Sequence, residues 1–229
     1  MATDPVRYRL NGQIATLCID DGKRNALSPE VLGGIYRALD EAEADGATLI
    51  ITGREEVFSA GFDLKVMKRG GPEAVRMLQQ GFALTARVLN YPYPVVAACN
   101  GHVLAMGVFL MLSADHVIGT RGDFKVSANE VAIGLTLPRV AAAMLEHRLN
   151  PAAYQRAAIR SEYFDVESAA AAGFFDELVE PGDLLSRAED SARAFSALDQ
   201  RAHTVTKRRL RRRLVRRIRW SIPLDLIDA

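Results

Sequence analysis

Two short segments carry residue types and spacing suited to chemistry on an oxygen atom: Phe58-Ser59-Ala60-Gly61-Phe62-Asp63-Leu64-Lys65 and Asn100-Gly101-His102-Val103-Leu104-Ala105-Met106-Gly107. Each follows an apolar run, Thr48 to Thr52 or Val95 to Cys99, and leads into an apolar, helix-compatible stretch. Glycine stands where the chain must change direction. A strand, a small-residue turn and a helix together aim backbone N–H groups at one point. Two such turns facing each other hold one oxygen between them and form an oxyanion hole, which stabilises charge developing on a carbonyl. Other chemistries find less support. There is no Gly-x-Ser-x-Gly elbow, no Walker A loop and no Gly-x-Gly-x-x-Gly turn. His116, His147 and His203 lack metal-ligand spacing with each other or with the cysteines, and His102 reads as a hydrogen-bonded structural residue.

The elements that position these turns are legible in outline. Ile14 to Asp20 reads as a strand. Ser28-Pro29-Glu30 reads as an N-cap, a first-turn proline and a first-turn acid, opening a helix with Val31, Ile35, Ala38, Leu39 and Ala42 on one face and an end near Gly46. Pro72 opens a long helix with Val75, Leu78, Phe82, Thr85 and Leu89 at helical spacing, and Tyr91-Pro92-Tyr93-Pro94 breaks it. Val95 to Cys99 is continuously apolar, which places it in the middle of the fold. Met106 to Ala114 reads as a helix buried on all sides. Asp115 to Thr120 and Phe124 to Ser127 read as short strands. From Pro138 onward the pattern is mostly helical, with a break at Gly173 and a return strand at Glu177 to Val179. Alternating strands and helices define an α/β class.

With 229 residues, 49% of them hydrophobic, the chain has enough apolar surface for one substantial core. No apolar run approaches the length of a membrane span. Met1-Ala2-Thr3-Asp4-Pro5 lacks the basic and then apolar segment of a secretion signal, so a cytoplasmic location is expected. Cys18 and Cys99 lie in apolar strand-like runs and read as small buried hydrophobes in a reducing compartment. The net charge of +1 hides an asymmetry: residues 207–229 hold nine of the 29 basic residues and two of the 28 acids. Residues 1–206 therefore carry 20 basic and 26 acidic residues, a formal −6, with a strongly basic tail behind them.

The two turns resemble the crotonase family, the enoyl-CoA hydratase/isomerase superfamily, in its F-x-[AG]-G-x-D-[LI]-[KR] and N-G-x-x-x-[GA]-x-G segments. Three further stretches match in family order: Asp21-Gly22-Lys23-Arg24-Asn25-Ala26-Leu27-Ser28, Asn129-Glu130-Val131-Ala132-Ile133-Gly134 and Ala171-Ala172-Gly173-Phe174-Phe175-Asp176-Glu177-Leu178-Val179. The resemblance implies a spiral of repeated ββα units, a catalytic core over 1–195 and a helical, Arg-rich C-terminal segment over 196–229 that serves oligomerisation or covers the active site. It implies an acyl-CoA substrate, with coenzyme A part of the substrate and no separate cofactor or metal, and a homotrimer or hexamer. The oxyanion donors it implies are the backbone N–H groups of Phe62 and Met106. Around coenzyme A it implies Lys23, Arg24, Ala26, Ala60, Asp63, Leu64, Lys65 and Gly107, with the basic residues near the phosphates.

The acid–base groups depart from the hydratase pattern, which the family builds on two glutamates. One is present as Glu130, and the position of the other is occupied by Phe109. Adding water across a double bond is best served by two carboxylates, whereas moving the bond needs one base that takes a proton from one carbon and returns it to another. A single Glu130 fits double-bond isomerisation, and Phe109 makes the pocket drier, which raises the pKa of the carboxyl. Three alternatives stay open: a hydratase using Glu130 with an unidentified partner, a non-catalytic acyl-CoA-binding protein, and an RNA-binding protein acting through the tail. Leu210, Leu214, Val215 and Ile218 give the tail the spacing of an amphipathic helix, read as oligomer-facing or solvated. The acidic body and scarce interleaved aromatics argue against nucleic acid.

Overall fold

The structure, a computed structural model, describes residues 4–227. Met1–Thr3, on which part of the leader expectation falls, and the tail acid Asp228 lie outside the described residues. An antiparallel pair, β1 (Val6–Asn11) and β2 (Ile14–Ile19), opens the chain. The backbone then winds through repeated turns of two strands and a helix. The first runs from β2 through β3 (Ala26–Leu27) to α1 (Pro29–Ala44). The second comprises β4 (Thr48–Thr52), β5 (Glu56–Ser59), β6 (Gly61–Phe62), α2 (Leu64–Arg69) and α3 (Gly71–Leu89). The third is β7 (Val95–Cys99), β8 (Gly101–Leu104) and α4 (Met106–Leu112). The fourth is β9 (His116–Thr120), β10 (Val126–Ser127), a 3-10 turn at Val131–Ile133 and α5 (Arg139–Arg148). There follow α6 (Pro151–Arg160), α7 (Val166–Ala172), β11 (Glu177–Val179), α8 (Leu184–Ser196) and α9 (Gln200–Ile227).

The leading strands of successive turns align in one six-stranded sheet, ordered β1-β2-β4-β7-β9-β11 and parallel from β2 onward. The following strands form smaller parallel sheets, β10-β8-β5 and β3-β6. This is the expected spiral of ββα units. The central strands β4 and β7 are buried along their whole length because the large sheet is covered on both faces. Leu49, Ile51, Val95 and Ala97 point into the main core, while Ile50, Val96 and Ala98 pack with Ile118 against Leu184, Ala188 and Ala192 of α8. Local signals match the elements they open: the Ser28 hydroxyl accepts the Val31 N–H at 3.2 Å to cap α1.

Two sequence expectations change, at Val75 and Cys18. Val75 is exposed on α3, whereas Leu78, Phe82, Thr85 and Leu89 are buried. Val131 and Ile133 are also exposed, because the 3-10 turn that carries them lies on the surface. Cys18 is half-buried in β2 with Arg7 beside it, while Cys99 is fully buried, and both are free thiols.

The tail departs further from a solvated basic run. Helix α9 lies on α3 and α5 of its own chain, and its charges anchor it there. The Asp115 carboxylate accepts the Val95 N–H at 2.7 Å, sits 2.6 Å from Lys207 Nζ and 2.9 Å from Arg211. The side chains of Lys207 and Asp115 are 3% and 9% exposed. Arg211 also donates to the Ala114 carbonyl at 2.8 Å, and Lys207 to the Tyr93 carbonyl at 3.0 Å. At the far end, Asp225 accepts the N–H groups of Arg139 and Val140 at 2.9 and 3.0 Å and so caps α5 from another helix. Removing the anion from a buried pair leaves its cations desolvated and uncompensated, at a cost of about 3–5 kcal/mol. Asp115→Ala is therefore expected to lower the unfolding free energy by that order, read as a lower urea midpoint, and to expose residues 200–227 to limited proteolysis. An unchanged midpoint would show that the Asp115 ion pairs do not hold the helix in place.

Candidate functional site

The two glycine-bearing turns meet face to face. Gly61 has φ +86°, and a methyl group placed on it would lie 2.7 Å from Ala105 Cβ and 3.1 Å from Met106 N. A methyl on Gly107 would lie 2.7 Å from the Ser59 carbonyl oxygen and 2.8 Å from Ser59 Cβ. Only a hydrogen fits at either place, so the two backbones interlock. Ala105, at φ +47°, takes a conformation that L-residues avoid and turns β8 directly into α4. Its N–H donates to the Ser127 carbonyl at 2.8 Å.

Glu130 belongs to the same assembly through β10. That strand pairs with β8 at Val126–Val103 and Ser127–Leu104, and Glu130 follows three residues later, at the start of the 3-10 turn. The Glu130 carbonyl accepts the Ile133 and Leu135 N–H groups at 3.1 and 2.9 Å. The Ala132 N–H donates to Ser161 Oγ at 3.2 Å, pinning the turn to the end of α6. The Glu130 residue is only 7% exposed, and its Oε2 has no hydrogen-bond partner among the described residues. Burial pushes the carboxyl up to about 7, opposed in part by a hydrogen bond from its own backbone. Phe109, one turn into α4, is fully buried.

The residues expected around coenzyme A fall into two groups. Lys23, Arg24, Ala26 and Ala60 come together because β3 pairs with β6, with Ala26 opposite Gly61, and because the Ala60 N–H donates to the Arg24 carbonyl at 3.0 Å. Lys23, Arg24, Leu64 and Lys65 are exposed, whereas Asp63 caps α2 by accepting the Lys65 N–H at 2.7 Å. Gly107 is buried against Ser59. Phe62 is half-buried and meets Phe82 edge-on with ring centroids 5.7 Å apart. His102 accepts the Lys125 N–H at 3.0 Å and packs against Phe124, in line with its structural reading. No cluster of His, Cys, Asp and Glu able to hold a metal occurs among the described residues.

Sequence reasoning missed Asn25 as an individual residue. It is fully buried at φ +53°, and its amide donates to the Ile19, Val57 and Phe58 carbonyls at 2.8, 3.1 and 3.2 Å. Val57 and Phe58 lie where the β5–β8 register slips, so Asn25 takes up carbonyls at this irregularity. An asparagine between a polar loop and a short apolar strand is the available signal, since Asn tolerates left-handed φ.

An α/β spiral that interlocks two strand–turn–helix units and carries a buried carboxyl three residues past a strand paired to one of them defines a recognisable class. The family model for enoyl-CoA hydratase/isomerase matches residues 9–219. An enoyl-CoA hydratase/isomerase family protein from Pseudomonas syringae is 39% identical, with TM-score 0.96, over 99% of this chain and 98% of that one. The enoyl-CoA hydratase EchA3 from Mycobacterium marinum is 46% identical, with TM-score 0.92, over 96% of each chain. An enoyl-CoA isomerase from Mycobacterium tuberculosis, solved in its apo form, is 44% identical, with TM-score 0.92, over 96% of each chain. The chain belongs to the enoyl-CoA hydratase/isomerase family.

The raised carboxyl of Glu130 has a thermodynamic consequence. Between about 4.5 and 7 the folded protein holds a proton that the unfolded chain releases, so this group's contribution to stability declines as pH rises through that window. Glu130→Gln is accordingly expected to stabilise the fold at pH 8, by on the order of 2–3 kcal/mol, with the gain shrinking toward pH 5. Thermal melts of both proteins across this range check the sign, and a gain independent of pH would rule out a buried ionisation.

Proposed function

We propose that the protein moves a double bond within an enoyl-CoA thioester, using Glu130 as its single acid–base group. The observation that carries this reading is the buried Glu130 carboxyl, one oxygen unpartnered, in a chain with a buried Phe109 where the family pattern has its second glutamate. The thioester carbonyl is read as lying between the backbone N–H groups of Phe62 and Met106. Loss of the proton on the α carbon places negative charge on the carbonyl oxygen, and each such donor is worth about 2.7–4 kcal/mol in the transition state. Met106 opens a helix without a side-chain cap, so its dipole adds to the positive field at that oxygen.

Glu130 then has to accept a proton from one carbon and return it to another. A group with a pKa of about 7 does both near neutrality, because neither protonation state is strongly preferred. Lys23, Arg24 and Lys65 are read as facing the coenzyme A phosphates, and Val131, Ile133 and Leu135 offer exposed apolar surface next to the carboxyl. The chain is read as working as a trimer or hexamer, with the exposed arginines of α9 facing solvent or a neighbouring copy.

Feeding trans-2-enoyl-CoA and 3-enoyl-CoA separately tests the reaction. Conversion of the 3-enoyl substrate without hydration of the trans-2 substrate is expected, and rapid hydration would overturn the single-carboxylate reading. Glu130→Gln should reduce isomerisation by a factor of about 100 or more. In the wild type, kcat/KM should fall as pH drops below about 7, where the base becomes protonated.

A further inference from the structure

We propose that Ser59 is a positioning residue that sets both halves of the oxygen site through its hydroxyl. This inference rests on the reading of the Phe62 and Met106 turns as the site of the thioester oxygen. Ser59 ends β5, is fully buried, and touches both turns at once. Its hydroxyl donates to the Asn25 carbonyl at 2.9 Å and accepts the Gly61 N–H at 3.2 Å. The hydroxyl thus lies in a relay: Asn25 is fixed by three carbonyls of neighbouring strands, Asn25 fixes Ser59, and Ser59 fixes the peptide entering Gly61. The next peptide along carries the Phe62 N–H.

The second half depends on the same side chain by contact. The space a methyl on Gly107 would need is filled by the Ser59 carbonyl, Cβ and Oγ, at 2.7, 2.8 and 3.0 Å from that methyl. The first turn of α4, which begins at Met106, therefore rests on Ser59. Three backbones around it have positive φ, Asn25, Gly61 and Ala105, and for Ala105 this is a conformation that an L-residue does not hold unaided. Positions of this kind persist where surrounding contacts over-determine them. Ser59 hydrogen-bonds to Asn25 and Gly61 and packs against Gly107, two residues beyond Ala105. Without the hydroxyl, the Asn25 carbonyl and the Gly61 N–H each lose a partner in a fully buried place, and both turns are freed to relax. Donors displaced by a fraction of an ångström bind a ground-state carbonyl nearly as well but lose alignment on the developing oxyanion.

The test uses the full chain and a probe that cannot turn over, hexanoyl-CoA carrying a 13C label at its carbonyl. Infrared difference spectra of the bound thioester report how strongly the oxygen is hydrogen-bonded. The wild type is expected to lower the carbonyl stretching frequency, and Ser59→Ala to lose at least half of that shift while binding the probe with a Kd within about threefold. In turnover, Ser59→Ala should lower kcat by about 10–100-fold with KM little changed, and Ser59→Cys, which keeps a weak donor of similar shape, should recover part of both signals. A wild-type shift retained in full by a folded Ser59→Ala would overturn the role of Ser59. No shift in the wild type would instead remove the oxygen site itself. Should Ser59→Ala fail to fold, Ser59→Cys carries the same comparison, and an undiminished shift in it together with unaltered kcat would count against the proposal.

Discussion

The architecture around the site depends on one steric constraint, the mutual insertion of two backbones. Gly61 meets Ala105 and Met106, and Gly107 meets Ser59, at separations that leave no room for a side-chain carbon at either glycine. Van der Waals repulsion is steep, so a fit of this kind fixes relative position more sharply than hydrogen bonds of ordinary length do. It also explains why strands from different turns of the spiral come into register. Strand β5 lies beside β8, and β8 beside β10, so the first turn, the second turn and Glu130 are carried on three neighbouring strands of one small sheet. Moving any one of them by a residue would flip its side chains to the other face.

Two asparagines do for the polar backbone what the glycines do for sterics. Where the chain crosses from the large sheet to the small ones, the ladder ends and carbonyls are left over. Asn25 takes those of Ile19, Val57 and Phe58, and Asn100 donates to Gly53 and Arg54 while accepting the Gly53 N–H at 3.2 Å. Each side chain bridges one turn of the spiral to the next. The same logic extends to the other end of α4, where Arg211 of α9 donates to the Ala114 carbonyl and, more weakly, to that of Ser113. Helix α4 is thus held at its start by Ser59 and just beyond its end by the tail. The basic run divides accordingly: Lys207 and Arg211 work inside the fold, while Arg208, Arg209, Arg212, Arg213, Arg216 and Arg219 remain on the outside.

Much of this was legible in the residues, because local rules and burial agree there. Ser28-Pro29 capped a helix, the apolar runs at Thr48 and Val95 became the buried central strands, and Gly173 ended α7 in the left-handed conformation. The expectation that Glu130 would be buried with a raised pKa also agrees with its environment. What the sequence hid is non-local. Nothing in the spacing of Asp115 and Lys207, 92 residues apart, indicates that they pair, and the helical periodicity of the tail is equally compatible with solvent or another protein. The spiral was hidden for a related reason: its repeats share a path through space while differing in length and side chains. Val131 and Ile133 form a short apolar run that a 3-10 turn lifts onto the surface, where burial cannot be read from residue type alone.

The burial of Glu130 gives the fold a liability. A carboxyl with one unpartnered oxygen inside a protein costs stability whenever it is charged, and a glutamine or an aliphatic residue would avoid that cost. Its neighbours do little to relieve it, since the one shift-lowering influence is a hydrogen bond from its own backbone. A second carboxylate on α4 would bring hydration with it, and in its place stands a buried aromatic side chain. On the proposed reading, a base that exchanges protons with carbon in a dry site returns the same proton more readily than it loses it to solvent, and the burial that raises the pKa of Glu130 is the property that reading depends on.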